Sequence, residues 1–325
     1  MAFKTIILIL TCMLTGLGAQ ADQKTEELVK QVLATKGTCE NFVRYDDQNL
    51  YLGFGTYKLG LEEPRGPLAS EILVTPLNNP AAEFALKTLD SVIEVLRDGQ
   101  NLWVLTYSGL ELWDLNTKAR TNVYQTYAKT EVMKYREHAR GMSRFLNLLV
   151  IAHGRLGVSV FDMDKKRLVF QDRLLQSQLP IESQAMDVTV VSDMALILFD
   201  SFSLVDPSKK QPFRGIIAMD MKTNTVVMKA DGLAVGADSL ALAGDDLWIS
   251  FMGYPIGLIK LPDLFKTQST AGVNIKFPNI NLGHPRGKGV LLEKDYLTCY
   301  LKYSTVPGGK SRKVPLVYPR SEIGI

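Results

Sequence analysis

One short apolar strand returns six times along this chain. Leu50-Tyr51-Leu52, Leu102-Trp103-Val104-Leu105, Leu148-Leu149-Val150-Ile151, Leu196-Ile197-Leu198-Phe199, Leu247-Trp248-Ile249 and Tyr296-Leu297-Thr298-Cys299 read as copies of one element. The equivalent leucines stand at 50, 102, 148, 196, 247 and 297, in steps of 52, 46, 48, 51 and 50 residues. A unit of that length, made of strands with no helix inside it, cannot bury both faces of its own sheet. Several such units stacked around an axis can, and that arrangement is a β-propeller. The spacing predicts an all-β ring of six four-stranded blades. Seven is the alternative, with a degenerate blade in residues 70–90 or 126–145, where 80–89 looks like helical filler.

The second unit shows the expected blade most fully. Val92-Ile93-Glu94-Val95-Leu96 is a first strand, and Asp98-Gly99 supplies the positive φ of a tight hairpin before Leu102. A third strand follows as Gly109-Leu110-Glu111-Leu112-Trp113-Asp114 and recurs as Gly157-Val158-Ser159-Val160-Phe161-Asp162 and Gly215-Ile216-Ile217-Ala218-Met219-Asp220, with a looser copy at Gly257-Leu258-Ile259-Lys260-Leu261. The closing aspartate is suited to bind the backbone of the polar turn after it. Outer strands are expected at 122–127, 167–171, 225–229 and 273–277, and at 314–318 for the last blade. Trp103, Trp113 and Trp248 each sit inside an apolar strand, which reads as core between blades.

These segments resemble the YVTN/WD40-like β-propeller proteins of secreted bacterial type. Trp113-Asp114 stands where a WD dipeptide would, and Arg97-Asp98-Gly99-Gln100-Asn101-Leu102-Trp103-Val104 is similar to the DG-x-x-L-Y-V segment of YVTN repeats. The resemblance implies a propeller over residues 39–325. No Gly-His dipeptide accompanies it, so the buried His–Asp network of WD40 repeats is not implied.

The N-terminus reads as a targeting segment. Lys4 precedes an apolar run from Thr5 to Leu17, and Ala19-Gln20-Ala21 is a small-x-small cleavage site, giving a signal peptide over 1–21. The alternative is an uncleaved anchor. Residues 22–38 follow as a helix, with apolar residues at 28, 29, 32 and 33. Export places the protein in the periplasm or outside the cell. Residues 1–21 hold one lysine and no acid, so cleavage takes the formal charge from +3 to +2. Near-neutrality argues against a nucleic-acid partner. No later apolar stretch is long enough for a transmembrane helix.

Cys39 and Cys299 remain after cleavage, at opposite ends of the array, and a closed ring brings those ends together. In an oxidising compartment the pair is expected to form a disulfide that closes the seam.

The chain carries no H-E-x-x-H, G-x-S-x-G, P-loop or C-x-x-C signature. Candidate ligand-binding residues instead come from the N-terminal ends of the first strands, which open on one mouth of the central channel. They are Asp90, His138, Arg140, Asp187, Asp238, His284 and Arg286, and Gly283-His284-Pro285-Arg286-Gly287 offers the closest backbone approach to a ligand. Such a mouth suits a small polar ligand or a protein partner, and the first expectation is a binding or scaffold module of the cell envelope. The second is a metal-assisted lactonase or hydrolase in which Asp90, Asp187, Asp238 and His284 converge on a divalent cation. A quinoprotein dehydrogenase is a third reading, without the repeated tryptophan motifs of the eight-bladed class. The segment 201–214 reads as an exposed insertion in blade four.

Overall fold

The computed structural model describes residues 23–36, 42–55, 70–127, 138–172, 179, 183–200, 213–233, 236–251, 254–270, 274–276, 290–291, 295–302, 312–319 and 321. Short β-branched and leucine-rich runs pair there as consecutive antiparallel hairpins. Blade one comprises β1 (Val43–Tyr45), β2 (Asn49–Gly55), β3 (Ser70–Pro76) and β4 (Phe84–Thr88). Blade two comprises β5 (Val92–Asp98), β6 (Asn101–Thr106), β7 (Leu110–Asp114) and β8 (Ala119–Tyr124). Blade three comprises β9 (Gly141–Phe145), β10 (Leu148–Ala152), β11 (Val158–Asp162) and β12 (Arg167–Asp172). Blade four comprises β13 (Gln184–Val191), β14 (Met194–Asp200), β15 (Gly215–Asp220) and β16 (Thr225–Asp231). Blade five comprises β17 (Ala237–Ala243), β18 (Asp246–Phe251), β19 (Tyr254–Lys260) and β20 (Asn274–Lys276). A last sheet comprises β21 (Val290–Leu291), β22 (Asp295–Lys302) and β23 (Arg312–Pro319).

The fold is therefore a β-propeller, but the expected six four-stranded blades are not what forms. Five sheets have four strands, and the last has three among the described residues. The run expected as the outer strand of the last blade, 314–318, is part of β23. It pairs directly with β22 over its whole length, from Asp295↔Pro319 to Lys302↔Arg312, so it is a third strand. The seven-bladed alternative fails as well. The supposed filler is one 3-10 turn, Pro80–Ala82, followed by β4, so residues 70–90 complete blade one.

First strands lie side by side around the axis in the order β5, β9, β13, β17, β21, and β1 meets β22 to complete the ring. Fourth strands form the rim, where β8 is almost wholly exposed. Apolar side chains from facing sheets form separate cores between blades one and two, two and three, three and four, and four and five. Trp103 and Trp113 lie in two of these cores.

Turn chemistry fixes the blade tips. The Oδ1 atoms of Asp114, Asp162 and Asp220 each accept two backbone N–H groups, two and three residues on, at 2.7–3.0 Å. Lys118, Lys166 and Asn224 then sit at φ 57°, 53° and 55° and turn the chain into the fourth strand. The donated N–H groups hold Asp114 and Asp220 below the ordinary carboxylate range. The glycine before the third strand has a steric cause. A Cβ on Gly109 would lie 2.7 Å from the Tyr124 carbonyl oxygen, and one on Gly215 would collide with that of Ala230.

Arginines link neighbouring tips. Arg97 reaches back to the first turn of blade one, with Nη2 donating to Gln48 Oε1 at 2.6 Å and Nη1 3.2 Å from Asp46 Oδ1. Arg144 repeats the device one blade on, with Nη1 2.9 Å from Asp98 Oδ1.

Among the described residues, two α-helices lie outside the blades. Helix α1 (Gln23–Ala34) packs against β23, and α2 (Leu261–Thr267) follows β19 and lies against β16.

Candidate functional site

The strand directions place the N-terminal ends of the first strands and the C-terminal ends of the second strands on one mouth of the ring. Three first strands are distorted just inside it. Register shifts at Val92/Glu94, Ala185/Asp187 and Ala237/Ser239 leave Ile93, Met186 and Asp238 as bulges. A bulge re-aims the side chain beside it. Glu94 and Asp187 stand at the same place in their blades, immediately after the bulge.

Both carboxylates are buried, and both bind the next residue's backbone: Val95 N–H donates to Glu94 Oε1 at 3.1 Å and Val188 N–H to Asp187 Oδ1 at 2.9 Å. Their second oxygens reach adjacent blades. Arg44 Nη2 donates to Glu94 Oε2 at 2.6 Å, and Leu240 N–H of β17 donates to Asp187 Oδ2 at 2.9 Å. Asp200, at the end of β14, is fully buried. Its Oδ2 accepts Gly236 N–H at 2.7 Å, and its Oδ1 lies 3.5 Å from Arg214 Nε. These groups fasten blades to one another.

The residues singled out from sequence divide accordingly. Asp90 is half-buried just before β5, where its Oδ1 accepts Ser91 N–H at 2.6 Å. His138 is half-buried before β9, with Nδ1 donating to the Tyr107 carbonyl at 3.1 Å and its ring tilted against that tyrosine. Arg140 stands just before the same strand, its N–H donating to the Ala152 carbonyl at 2.8 Å. Asp238 is the half-buried bulge residue of β17. Blade three thus brings His138, Arg140 and Arg155 to the mouth, while blades four and five bring Asp187, Asp200 and Asp238. Cys39, His284 and Arg286 lie outside the described residues. Cys299 belongs to β22, the strand beside blade one. Among the described residues, no three His, Cys, Asp or Glu side chains are grouped to hold a metal ion.

Sequence reasoning missed three polar groups. Glu111 is fully buried on β7, accepting Leu89 N–H at 2.8 Å and Trp113 Nε1–H at 3.0 Å, with Arg120 at 3.4 Å. The pair Asp200–Arg214 spans the 201–214 insertion, of which only residues 213 and 214 are described. His153, directly after β10, is fully buried. Its Nε2–H donates to Ser159 Oγ at 2.9 Å, and that hydroxyl donates to the Thr126 carbonyl of blade two at 2.6 Å. Burial pushes its pKa down to about 3; the Thr126 carbonyl opposes the shift and His138 adds to it. The only sequence signal for His153 was its position, where an apolar strand runs straight into Ala152-His153-Gly154.

No family model and no curated protein matches the chain. Among solved structures, that of U3-55K is similar over 88% of this chain and 84% of its own, at 10% identity and a TM-score of 0.53. The computationally designed Ika8 protein covers 87% of this chain and 97% of its own at 8% identity and a TM-score of 0.46. BamB from Moraxella catarrhalis covers 81% and 67% at 15% identity and a TM-score of 0.44. At such identities likeness bears on fold alone, and fold does not fix function.

Proposed function

We propose that the protein is an exported binding scaffold of the cell envelope, which presents its channel mouth and loops to a protein or small polar ligand. One observation carries this reading. Two buried carboxylates at the mouth are committed to structure: Asp187 binds two backbone N–H groups and Asp200 binds a third. A hydrolase needs carboxylates that can turn to a metal or a proton. A scaffold needs a rigid ring on which loops can vary, and carboxylates spent on joining blades supply rigidity. The half-buried His138, Arg140, Asp90 and Asp238 at the mouth are the residues for recognition.

In-cell photo-crosslinking tests the reading. A photoreactive residue at Asp90 or Asp238 should give a discrete adduct with an envelope component, and one at Asn116, on the opposite face, should not. Equal labelling from both faces would overturn the reading. So would a stoichiometric metal in the purified protein together with lactone hydrolysis abolished by Asp238→Asn.

A further inference from the structure

A propeller must join its last sheet to its first. Many rings do so by sharing a strand, but here β1 to β4 form a complete blade and β21 to β23 a separate sheet. Helix α1 lies at their junction. Its Val29, Val32 and Leu33 are buried with Val43, Leu50, Leu52 and Leu77 of blade one and with Leu297 of the last sheet. Leu28 packs at the edge of this cluster, as does Val317 from β23. Leu297 and Val317 of the last sheet pack in this core with the helix, which adds apolar surface of the kind a facing blade supplies elsewhere.

Polar contacts pin the segment to both sides. Lys30 Nζ lies 2.6 Å from Asp295 Oδ2 of β22, and Asp295 holds the lysine's pKa above its usual value, with Glu27 adding to the effect. Two residues past the helix, Lys36 pairs with Glu83 of blade one, which also accepts the Thr75 hydroxyl at 2.5 Å. A helix of 12 residues is too short to persist in water by itself. Its order therefore depends on being docked, through side chains at i, i+3 and i+4.

We infer that α1 is a releasable latch that closes the ring, and that the groove beneath it, between blade one and the last sheet, accepts this amphipathic helix as a ligand in cis. Release bares Leu50, Leu52 and Leu297, all fully buried when the latch is shut. It also frees β22 from its pin while leaving the packed interfaces of blades two to five intact. The inference concerns how the ring is closed and holds whatever the channel mouth binds.

Hydrogen exchange on the full chain tests it. In Leu33→Asp, amides of α1, β2 and β22 should exchange at least tenfold faster, with β10 and β14 unchanged. A synthetic peptide of residues 23–36, added in excess, should restore protection to β2 and β22. If Leu33→Asp does not fold, Lys30→Glu serves instead. It should loosen the same strands, and adding Asp295→Lys should restore them by reversing the ion pair. Loss of protection spread evenly over all blades, unchanged exchange in β22, or no rescue by peptide or charge reversal would each overturn the latch.

Discussion

The buried imidazole of His153 makes stability sensitive to acid in a way that can be calculated. Its Nε2–H is used by Ser159, so protonation must place the new hydrogen on Nδ1, which is buried and has no partner among the described residues. An imidazole whose pKa falls on folding, from 6.5 to about 3, binds fewer protons folded than unfolded. Stability from this group is therefore intact above pH about 6.5 and is lost as the pH falls toward 3, by about 1.4 kcal/mol per unit. Between pH 7 and 5 the loss from this one residue is about 2 kcal/mol. His153→Gln replaces it with a group that does not titrate and can still donate to Ser159. The variant should be less stable than the parent at pH 7, by about 1–3 kcal/mol, because the ring packed against Tyr127 is gone. Its stability should then fall less steeply, so that about 2 kcal/mol of the deficit disappears by pH 5. Urea unfolding of both proteins at pH 7, 6 and 5 gives the two slopes. Parallel slopes would show that His153 is not held neutral by burial.

Further outcomes can be checked residue by residue. Asp187→Ala leaves the Val188 and Leu240 N–H groups without their acceptor and should cost about 3 kcal/mol in urea unfolding, with Asp187→Asn costing less because one acceptor oxygen remains. Leu146 sits at φ 53° and is 66% exposed at a hairpin tip where blades two and five place Gly99 and Gly244, so Leu146→Gly should raise stability by about 0.5–1 kcal/mol. The mature protein should begin at Asp22 by mass spectrometry and, denatured without reductant, should show no titratable thiol; two free thiols would dispose of a Cys39–Cys299 bond.

Sequence periodicity was enough for the propeller class, though not for the number of four-stranded blades, because the repeat is a physical unit. The turn aspartates were legible for the same reason, since Asp114, Asp162 and Asp220 act within three residues of themselves. Register was not. Pairing with the last residue of the third strand makes Asn101, Leu148, Met194 and Asp246 equivalent, which displaces Leu148 and Leu196 by one residue, in opposite directions, from Leu102 and Leu247. The cause is burial on both faces. Leu196 and Ile197 point to opposite sides of one sheet and are both fully buried, in different cores, so no polar alternation marks the phase. The blade count failed at the last sheet because a third and a fourth strand look alike in sequence, and only the β22–β23 ladder tells them apart. At the mouth, sequence could place Asp187 but not its use. Its partner Leu240 lies 53 residues away and is bound through the backbone, which leaves no side-chain signature.

The polar ties differ from junction to junction. Blades one and two are joined by Arg44–Glu94 and Arg97–Asp46. Blades two and three are joined by Arg144–Asp98 and the His153–Ser159–Thr126 chain. Between blades three and four, Gly154 and Ala185 exchange backbone hydrogen bonds and Val190 N–H donates to Ser143 Oγ. Asp187 and Asp200 join blades four and five, and α1 spans the seam through Lys30. An apolar interface between similar blades would tolerate sliding of one sheet over the next, because leucine and valine pack acceptably in many arrangements. A buried donor or acceptor does not, because a wrong seating leaves it unpaired at about 1–3 kcal/mol per group. Chain connectivity fixes blade order, and these polar groups, which the repeat pattern does not contain, fix how each blade seats against its neighbour. The same groups make each junction distinct, so a change at one junction, the latched seam above all, need not be repeated around the ring.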